Sequence, residues 1–255
     1  MATNPDRPAA LNGKAALITG AARRVGAAIA RKLHAAGANI VLHYRSSAES
    51  AEAISNELNE QRPNSVVIVE ADLLDVGQLQ ALPEIATSNF GSLDILVNNA
   101  STFYPTPVGD ITEIDWHDLM GTNLKAPLFL SQAASPALRI SNGLIVNIAD
   151  IHGQQPLARH TVYSLAKAGV IMLTKSLARE LGPSIRVNAI APGPVMWPED
   201  GMDKELQAKI IDRTALKRGG SPDDVARAVL FFATEAPYVT GQILAVDGGR
   251  SSAGW

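Results

Sequence analysis

Short apolar segments alternate with longer amphipathic segments along most of this chain. Each apolar segment is four to six residues long and rich in aliphatic side chains, which is typical of strands buried on both faces. These segments are Ala15–Thr19, Ile40–His43, Val66–Val69, Leu93–Val97, Leu144–Ile148, Ile185–Ile190 and Ile243–Val246. Strand–helix alternation repeated this often predicts an α/β fold, with a mostly parallel seven-stranded sheet and helices on both faces. We expect a single doubly wound, Rossmann-type domain.

The amphipathic segments carry helix boundary signals. Val25–Ala36 is rich in alanine and is followed by Gly37, a residue that commonly ends helices. Ser47–Gln61 places its apolar residues at helical spacing. Ser221 followed by Pro222 is typical of a capped helix start. These signals place helices between the predicted strands.

Composition narrows the class of protein. The 255 residues include no cysteine, which excludes a disulfide framework, a thiol nucleophile and cysteine-ligated metal sites. A net charge of −3 gives no basic field for nucleic acid, and no apolar run approaches the ~18 residues of a membrane span. The five histidines have no metal-binding spacing, so we expect no metal. The expectation is a cytoplasmic protein with a polar tail at 1–12 and one domain at 13–255.

A glycine-framed turn joins the first predicted strand to the first long helix. Gly20 and Gly26 bound this turn, and Arg24 occupies the position between them where a third glycine would complete a dinucleotide fingerprint. Such turns let backbone N–H groups and the helix dipole approach a pyrophosphate. The alternative is a tight turn with two solvated arginines.

The residues after the second and third strands bear on the choice of cofactor. A carboxylate after the second strand would favour NAD, whereas cationic and hydroxyl groups accommodate the 2′-phosphate of NADP. Arg45 and Ser46, with His43 nearby, therefore favour NADP(H), although an exposed basic loop is the alternative. Asp72 could accept a hydrogen bond from an adenine amino group or could cap the next helix.

Tyr163 and Lys167 are spaced to lie on one face of a helix. A nearby ammonium group would lower the pKa of the phenol and make the pair a usable proton donor or relay. Asp150 stands thirteen residues earlier, at the carboxyl end of a predicted strand, where open α/β sheets bind ligands. The pattern indicates acid–base chemistry beside a hydride acceptor.

Several motifs occur together in the order typical of one family. They are Thr19-Gly20 with Gly26, Asn98-Asn99-Ala100, Tyr163-xxx-Lys167, Pro192-Gly193 and Val246-Asp247-Gly248-Gly249. With these motifs, residues 13–249 resemble the short-chain dehydrogenase/reductase family. The joint match is far more specific than any single motif.

The departures from the general family pattern narrow the resemblance. Arg24 replaces the middle glycine, Asp150 stands where most members have a catalytic serine, and Ser101 begins a stretch that departs from Asn-Asn-Ala-Gly. Together with His43-Tyr44-Arg45-Ser46, these features resemble the pteridine reductases and the related dihydromonapterin/dihydrofolate reductases. Reduction of a ring C=N bond places a proton on nitrogen, and a carboxylate at position 150 could hold a water or the Tyr163 hydroxyl for that delivery.

The resemblance implies roles for a set of residues. The implied catalytic group comprises Asp150, Tyr163, Lys167 and Asn123, the last ordering a relay water, although Asn123 could equally be a helix-interior residue bonded to backbone. The implied NADP(H)-binding residues are Gly20, Arg24, Val25, Gly26, His43, Tyr44, Arg45, Ser46, Asp72, Leu73, Asn99, Ala100, Ser101, Tyr163, Lys167, Pro192, Gly193 and Val195. The backbone at Val195 would hold the nicotinamide amide.

The implied substrate-binding residues are Arg24, Ser101, Phe103, Asp150, Tyr163 and Trp197. Phe103 suits a flat ring stacked against the nicotinamide, with a core-filling loop phenylalanine as the alternative. Trp197 lies on a segment of about residues 192–215 that would cover the substrate; a structural tryptophan is the alternative. Prolines at 192, 194 and 198 favour a non-helical start to this segment.

The function implied by the resemblance is NADPH-dependent reduction of pterins such as dihydrobiopterin, and of dihydrofolate to an extent left open. The alternatives are a carbonyl or 3-ketoacyl reductase of the same family and a non-catalytic NADP(H)-binding protein. The resemblance also implies a homotetramer in which the chain's carboxyl end approaches a neighbouring active site, with Arg250 as a candidate there. We expect no nucleic-acid or membrane partner.

Overall fold

A parallel seven-stranded sheet forms the centre of the protein. The computed structural model describes residues 9–197 and 201–252. The strands are β1 (Ala15–Ile18), β2 (Asn39–Tyr44), β3 (Val66–Glu70), β4 (Ile95–Asn98), β5 (Leu144–Ile148), β6 (Arg186–Pro192) and β7 (Ile243–Val246). Their order is β3-β2-β1-β4-β5-β6-β7, and each neighbouring pair is parallel. The predicted doubly wound fold class is confirmed.

Helices follow the strands as the periodicity predicts. They are α1 (Arg24–Ala35), α2 (Ala48–Gln61), α3 (Val76–Phe90), α4 (Glu113–Met120), α5 (Ala126–Ser141), α6 (Thr161–Leu181), α7 (Lys204–Asp212) and α8 (Pro222–Thr234). Ser221 caps α8 as expected, in a reciprocal pair with Asp224. Gly37, just after α1, has a φ of 103°, which suits glycine.

Two apolar layers hold the helices against the sheet. On one face, Ile18 and Leu42 pack with Leu33 of α1 and Val229 of α8. On the other face, Leu17 and Val41 pack with side chains of α3 and α5, among them Leu79, Leu82, Leu130 and Leu138. Burial of apolar area of this kind is the main favourable contribution to folding and fixes the position of each strand end.

The two edge strands depart from the expected burial on both faces. The first residue of β3 is buried but Glu70 is exposed, and β7 is half-buried or exposed throughout, with Leu244 38% exposed. An edge strand lacks a neighbour on one side and is covered less completely by the helices. Short aliphatic segments look alike in sequence whether they lie at the centre or the edge.

The site is positioned by the strand order. The connections diverge on either side of β1 and β4, so a crevice opens beyond the carboxyl ends of these adjacent strands. In the predicted covering segment, residues up to Trp197 are non-helical after β6, and α7 follows from Lys204. Pro198, residues 1–8 of the predicted tail and Trp255 lie outside the described residues. None of the helices described in 9–197 and 201–252 is long and apolar enough to cross a membrane.

Candidate active site

The turn between β1 and α1 offers an anion cradle. Gly20 has a φ of 60° and Arg24 a φ of 55°, so the chain turns sharply and α1 begins at Arg24 with no side-chain cap and no acid in its first turn. The N–H groups at the positive end of α1 therefore suit a phosphate group. A Cβ atom at Gly26 would meet the Gly20 carbonyl oxygen and would lie 2.6 Å from the Asn99 amide nitrogen. Only glycine fits there.

His43 and Asn99 hold this turn from behind. His43 is buried; its Nδ1 accepts a hydrogen bond from the Gly20 N–H (3.1 Å), so its Nε2–H donates to the Ala71 carbonyl (3.1 Å). Burial lowers the pKa of His43 and favours this neutral form. The Asn99 amide donates to the carbonyl oxygens of Thr19 (2.8 Å) and Gly20 (3.0 Å). Both ring nitrogens of His43 therefore bond to backbone, and its cofactor-binding role stays a prediction.

The end of β2 presents a cationic surface. Arg45 and Ser46 are exposed and Tyr44 is half-buried. Arg23 joins them from the turn, with its Nε donating to the Ser50 hydroxyl at the start of α2 (3.1 Å). Our sequence analysis did not assign Arg23 to the site. Its place in the same turn as Arg24 could have suggested that Arg23 belongs to the site. Only the fold, however, brings Arg23 opposite the start of α2.

Asp72 does not cap the next helix. Asp75 caps α3 by accepting from the N–H groups of Gly77 (2.8 Å) and Gln78 (3.4 Å). One carboxylate oxygen of Asp72 accepts from the Leu74 N–H (3.0 Å). The capping alternative for Asp72 is therefore wrong, and the adenine-binding role stays a prediction. Leu73, beside it, is buried.

The segment after β4 is tied to the turn and to α4. The Thr19 hydroxyl oxygen accepts from the N–H groups of Asn99 (2.9 Å) and Ala100 (3.0 Å). Ser101 donates its hydroxyl to the side-chain oxygen of Asn123 (2.6 Å), and the Asn123 amide donates to the Leu119 carbonyl (2.9 Å). The Asn123 side chain is thus bonded to helix backbone, as the alternative to a catalytic role predicted.

The helix widens at Asn123. Residues Gly121–Lys125 form a π-helical turn between α4 and α5, a feature that sequence periodicity does not reveal. Turns of this type recur at functional sites because they redirect one side chain without ending the helix. Here the turn brings Asn123 against the segment that carries Ser101 and Thr102.

A tyrosine–carboxylate pair lies at the centre of the site. The Tyr163 hydroxyl donates to one oxygen of Asp150 at 2.8 Å, and the other Asp150 oxygen accepts from the His152 N–H at 2.8 Å. Lys167 is buried, donates to the Ile148 carbonyl at 3.0 Å and places its ammonium nitrogen 5.6 Å from the Tyr163 ring centre. The structure brings the three predicted side chains together at the carboxyl end of β5.

Burial dominates the ionisation of this group. Burial raises the pKa of Tyr163 well above its ordinary value, and the charge and hydrogen bond of Asp150 raise it further, against the lowering by the Ser101 hydroxyl. Burial lowers the pKa of Lys167 to about 8, partly opposed by the charge of Asp150. We expected the ammonium group of Lys167 to lower the pKa of Tyr163. The net shift of that pKa is upward instead. Tyr163 is therefore held protonated, as a proton donor requires.

Phe103 lies at the mouth of the site. Its side chain is 55% exposed, which excludes the core-filling alternative. Its ring meets the Tyr163 ring edge-on, with centroids 4.8 Å apart and an interplanar angle of 80°. Arg24 reaches across the opening, and its Nε donates to the sulfur of Met196 (3.3 Å). Trp197, which follows Met196, is half-buried.

The segment after β6 is held close to the sheet. The Gly193 N–H donates to the Val246 carbonyl (3.0 Å), and a Cβ at Gly193 would lie 2.6 Å from the Asp247 Cβ. Pro192 ends β6, and Val195 is buried with its N–H donating to the Gly193 carbonyl (2.8 Å). The predicted cofactor-binding backbone at Val195 thus follows a compact turn.

Arg250 and Ser251, near the end of the described residues, pack on their own chain. Arg250 donates to the Ile210 carbonyl of α7 (3.2 Å), and the Gln155 amide donates to the Ser251 carbonyl (2.9 Å). The approach of this end to a neighbouring subunit stays a prediction. Among the residues from 9 to 197 and from 201 to 252, no cluster of three or more histidine or acidic side chains is arranged to hold a metal ion.

Comparison with known proteins gives related reductases. A family model described as "Enoyl-(Acyl carrier protein) reductase" matches residues 20–251. The chain is 36% identical to pteridine reductase 1 of Leishmania tarentolae, over 98% of this chain and 99% of that protein. It is 38% identical to 3-oxoacyl-[acyl-carrier-protein] reductase FabG of Staphylococcus aureus, over 92% of this chain and 97% of that protein.

One solved structure is closely similar over the whole fold. It is a blue fluorescent protein from a metagenomic library, in complex with NADPH, with a TM-score of 0.88 and 36% sequence identity. The match covers 94% of this chain and 98% of that one. The two curated relatives differ in substrate, so overall identity does not choose between them.

Proposed function

The chain belongs to the short-chain dehydrogenase/reductase family and is an NADP(H)-dependent oxidoreductase, and within that family we propose that it is a pteridine reductase. The observation that carries the proposal is the 2.8 Å hydrogen bond from the Tyr163 hydroxyl to Asp150. A ketone reductase needs a neutral hydroxyl donor beside the tyrosine, because the substrate oxygen becomes negative. A carboxylate there suits proton delivery to a ring nitrogen instead.

The residues around the first turn fit the cofactor. The uncapped start of α1 and the glycine at position 26 suit a pyrophosphate, and the exposed cations Arg45 and Arg23 suit a 2′-phosphate. We assign Ser46 to the same phosphate group and Asp72 to the adenine amino group. The backbone at Gly193 and Val195 is assigned to the nicotinamide end.

The proton is handled by the chain's own side chains. When bound, reduced nicotinamide supplies a hydride to the carbon of a C=N bond and is oxidised. The single hydroxyl proton of Tyr163 points at Asp150 in this structure, so Asp150 holds the hydroxyl in place until the O–H turns to the ring nitrogen and gives up its proton. The ammonium of Lys167, 5.6 Å from the ring centre, stabilises the tyrosinate until solvent returns the proton.

The substrate would lie between Phe103 and the nicotinamide. The exposed Phe103 ring offers an apolar face for a flat bicyclic ring, and offset stacking is worth about 0.5–1.5 kcal/mol. Arg24 would exchange its contact with Met196 for the carbonyl side of the pterin and the cofactor phosphates. Ser101 and Trp197 complete the assigned lining of the pocket.

Reduction of 3-ketoacyl thioesters is the second candidate, because the FabG relative is as similar as the pteridine reductase. Initial rates of NADPH oxidation with dihydrobiopterin, dihydrofolate and acetoacetyl thioester separate the two. We expect turnover with a pterin and at most trace turnover with the thioester. Turnover with the thioester alone would replace our proposal by the second candidate, and turnover of none of the three would overturn both substrate assignments.

We also propose a homotetramer. Leu165 and Met172 are 50% and 61% exposed and lie on one face of α6, while Phe231 of α8 and Leu244 of β7 are 44% and 38% exposed on another part of the molecule. Two separate apolar faces suit the two interfaces that a tetramer with three two-fold axes requires.

A further inference from the structure

The Phe103 ring is held by two aromatic side chains from the start of α6. Tyr163 meets it edge-on at 4.8 Å, and His160 stacks on it with centroids 4.6 Å apart and an interplanar angle of 13°. His160 is the residue just before α6 and Tyr163 lies in the first turn of that helix, and both rings contact Phe103. One face of Phe103 is thus covered by imidazole, while the side chain as a whole is still 55% exposed.

The backbone fixes the His160 side of this stack. Thr106 and His160 form an isolated parallel bridge, and the Thr106 N–H donates to the Arg159 carbonyl at 2.6 Å. The His160 ring is anchored as well: its Nδ1–H donates to the Ala158 carbonyl at 2.9 Å, since a carbonyl oxygen can only accept. The imidazole plane is therefore set before any ligand arrives.

Because His160 covers one face of the Phe103 ring, the other face of that ring is held at a defined position. Phe103 lies on a segment with no helix or strand of its own, so regular secondary structure does not restrict the orientation of its ring. The His160 stack removes that freedom in advance. A ligand that stacks on the open face then loses less conformational entropy on binding.

We propose that His160 is a positioning residue that holds Phe103 as the stacking platform for a flat heteroaromatic substrate. The inference rests on the proposed function, because it takes the pterin as the stacked ligand. In this proposal His160 acts through Phe103. It therefore sets affinity for the substrate ring rather than the rate of hydride transfer.

The test compares His160→Ala with His160→Phe, which keeps an aromatic face against Phe103. We expect His160→Ala to raise KM for dihydrobiopterin about threefold to tenfold with kcat changed less than about twofold, as loss of an aromatic pair implies. His160→Phe should restore a KM close to wild type. Affinity for NADPH should be unchanged in both variants.

Binding without turnover keeps the inference separable from the proposed function. The dissociation constant of oxidised biopterin for the NADP+-loaded protein is measured in the wild type and both variants. Weaker binding in His160→Ala with recovery in His160→Phe supports the stack even where the wild type fails to turn over a pterin. If the wild type turns over the pterin, and His160→Ala has an unchanged KM and unchanged biopterin binding, the positioning role of His160 is wrong. The proposed function would then still stand. Equal loss in both variants, or a fall in kcat without a rise in KM, also overturns the positioning role of His160.

Discussion

At the scale of single residues, burial decides which groups can give up a proton. Tyr163 has a raised pKa and Lys167 a lowered one, both chiefly through burial. The spacing of Lys167 four residues after Tyr163 predicted that the two side chains lie close together. It did not predict that the pKa of Tyr163 is raised overall. That direction depends on how deeply the sheet and α6 enclose the pair, which only the fold determines.

The pH dependence of reduction follows from Lys167. Its pKa of about 8 means that the ammonium is present below that pH and is lost above it. Since Tyr163 stays protonated through this range, we expect kcat/KM to be level below neutral pH and to fall as the pH rises through about 8. Initial rates between pH 6 and 10 measure this; a level profile through pH 9.5 would contradict the assignment of Lys167.

We assign the preference for NADPH over NADH to Arg45 and Arg23. Each can donate charged hydrogen bonds to a 2′-phosphate, so we expect Arg45→Ala and Arg23→Ala each to reduce the NADPH-over-NADH ratio of kcat/KM by about tenfold or more. The matched control is Arg31→Ala, because Arg31 also lies on the α1 side but pairs with Glu57 at 2.6 Å. An unchanged ratio in both single variants would remove the phosphate assignment.

At the scale of elements, the sequence predicted most strands and helices because their apolar periodicity is local. Leu144–Ile148 and Ile243–Val246 have the predicted bounds, and the others differ by a few residues at their ends. The π-helical turn at Gly121–Lys125 was not predictable, since local apolar periodicity does not reveal it and its contact through Asn123 is with the segment after β4. The same holds for His43, whose two backbone partners lie 23 and 28 residues away.

The turn after β1 admits only glycine at position 26. A Cβ there would press on the Gly20 carbonyl and the Asn99 amide, so we expect Gly26→Ala to destabilise the protein by about 1–3 kcal/mol and to weaken NADPH binding. Urea unfolding and NADPH titration measure the two effects. The control is Gly219→Ala, where the backbone is not in the left-handed region and the added Cβ would meet no atom nearer than 3.7 Å. If Gly26→Ala bound NADPH with wild-type affinity, the assignment of the turn between β1 and α1 to the cofactor phosphates would be contradicted.

The corner between α1 and β3 carries a pH-sensitive histidine. Ser65 donates its hydroxyl to the Arg62 carbonyl, so buried His34 donates from Nε2 to Ser65 at 2.8 Å, and among the described residues its Nδ1 has no partner. Burial lowers the pKa of His34 below 6.5. The unfolded chain therefore takes up the proton first, and the stability is lost as the pH falls below about 6.5.

We expect the free energy of unfolding to fall between pH 7.5 and 5.5, and to fall less in His34→Gln, which can still donate to Ser65 but does not titrate. Urea unfolding at both pH values measures this difference. An identical pH dependence in wild type and variant would show that His34 does not contribute.

At the scale of the whole molecule, the apolar faces on α6 and on α8 with β7 predict two independent interfaces. We expect the wild type to be a tetramer, and Met172→Glu or Phe231→Glu each to leave a dimer, because each removes one interface. Light scattering after size-exclusion chromatography gives the mass directly. A monomeric wild type would contradict the tetramer.

The sequence also predicted the grouping of side chains at the site, since Tyr163, Asp150 and Lys167 lie together as their motifs implied. It did not assign Arg23, which lies in the glycine-framed turn but has no fixed position in the dinucleotide fingerprint, or His160, which belongs to no motif that we used. Each enters the site through a contact, with Ser50 and with Phe103, that is made across the fold.

The most direct test of the account follows the hydride itself. Dihydrobiopterin is incubated with the protein and NADPH carrying deuterium at both C4 positions, and the product is analysed by mass spectrometry. The account predicts tetrahydrobiopterin containing a single transferred deuterium, and loss of that product in Asp150→Ala, by about 100-fold or more in rate, with NADPH affinity close to wild type. Unlabelled or absent tetrahydrobiopterin from the wild type, alongside deuterium in the hydroxyacyl product of acetoacetyl thioester, would contradict it.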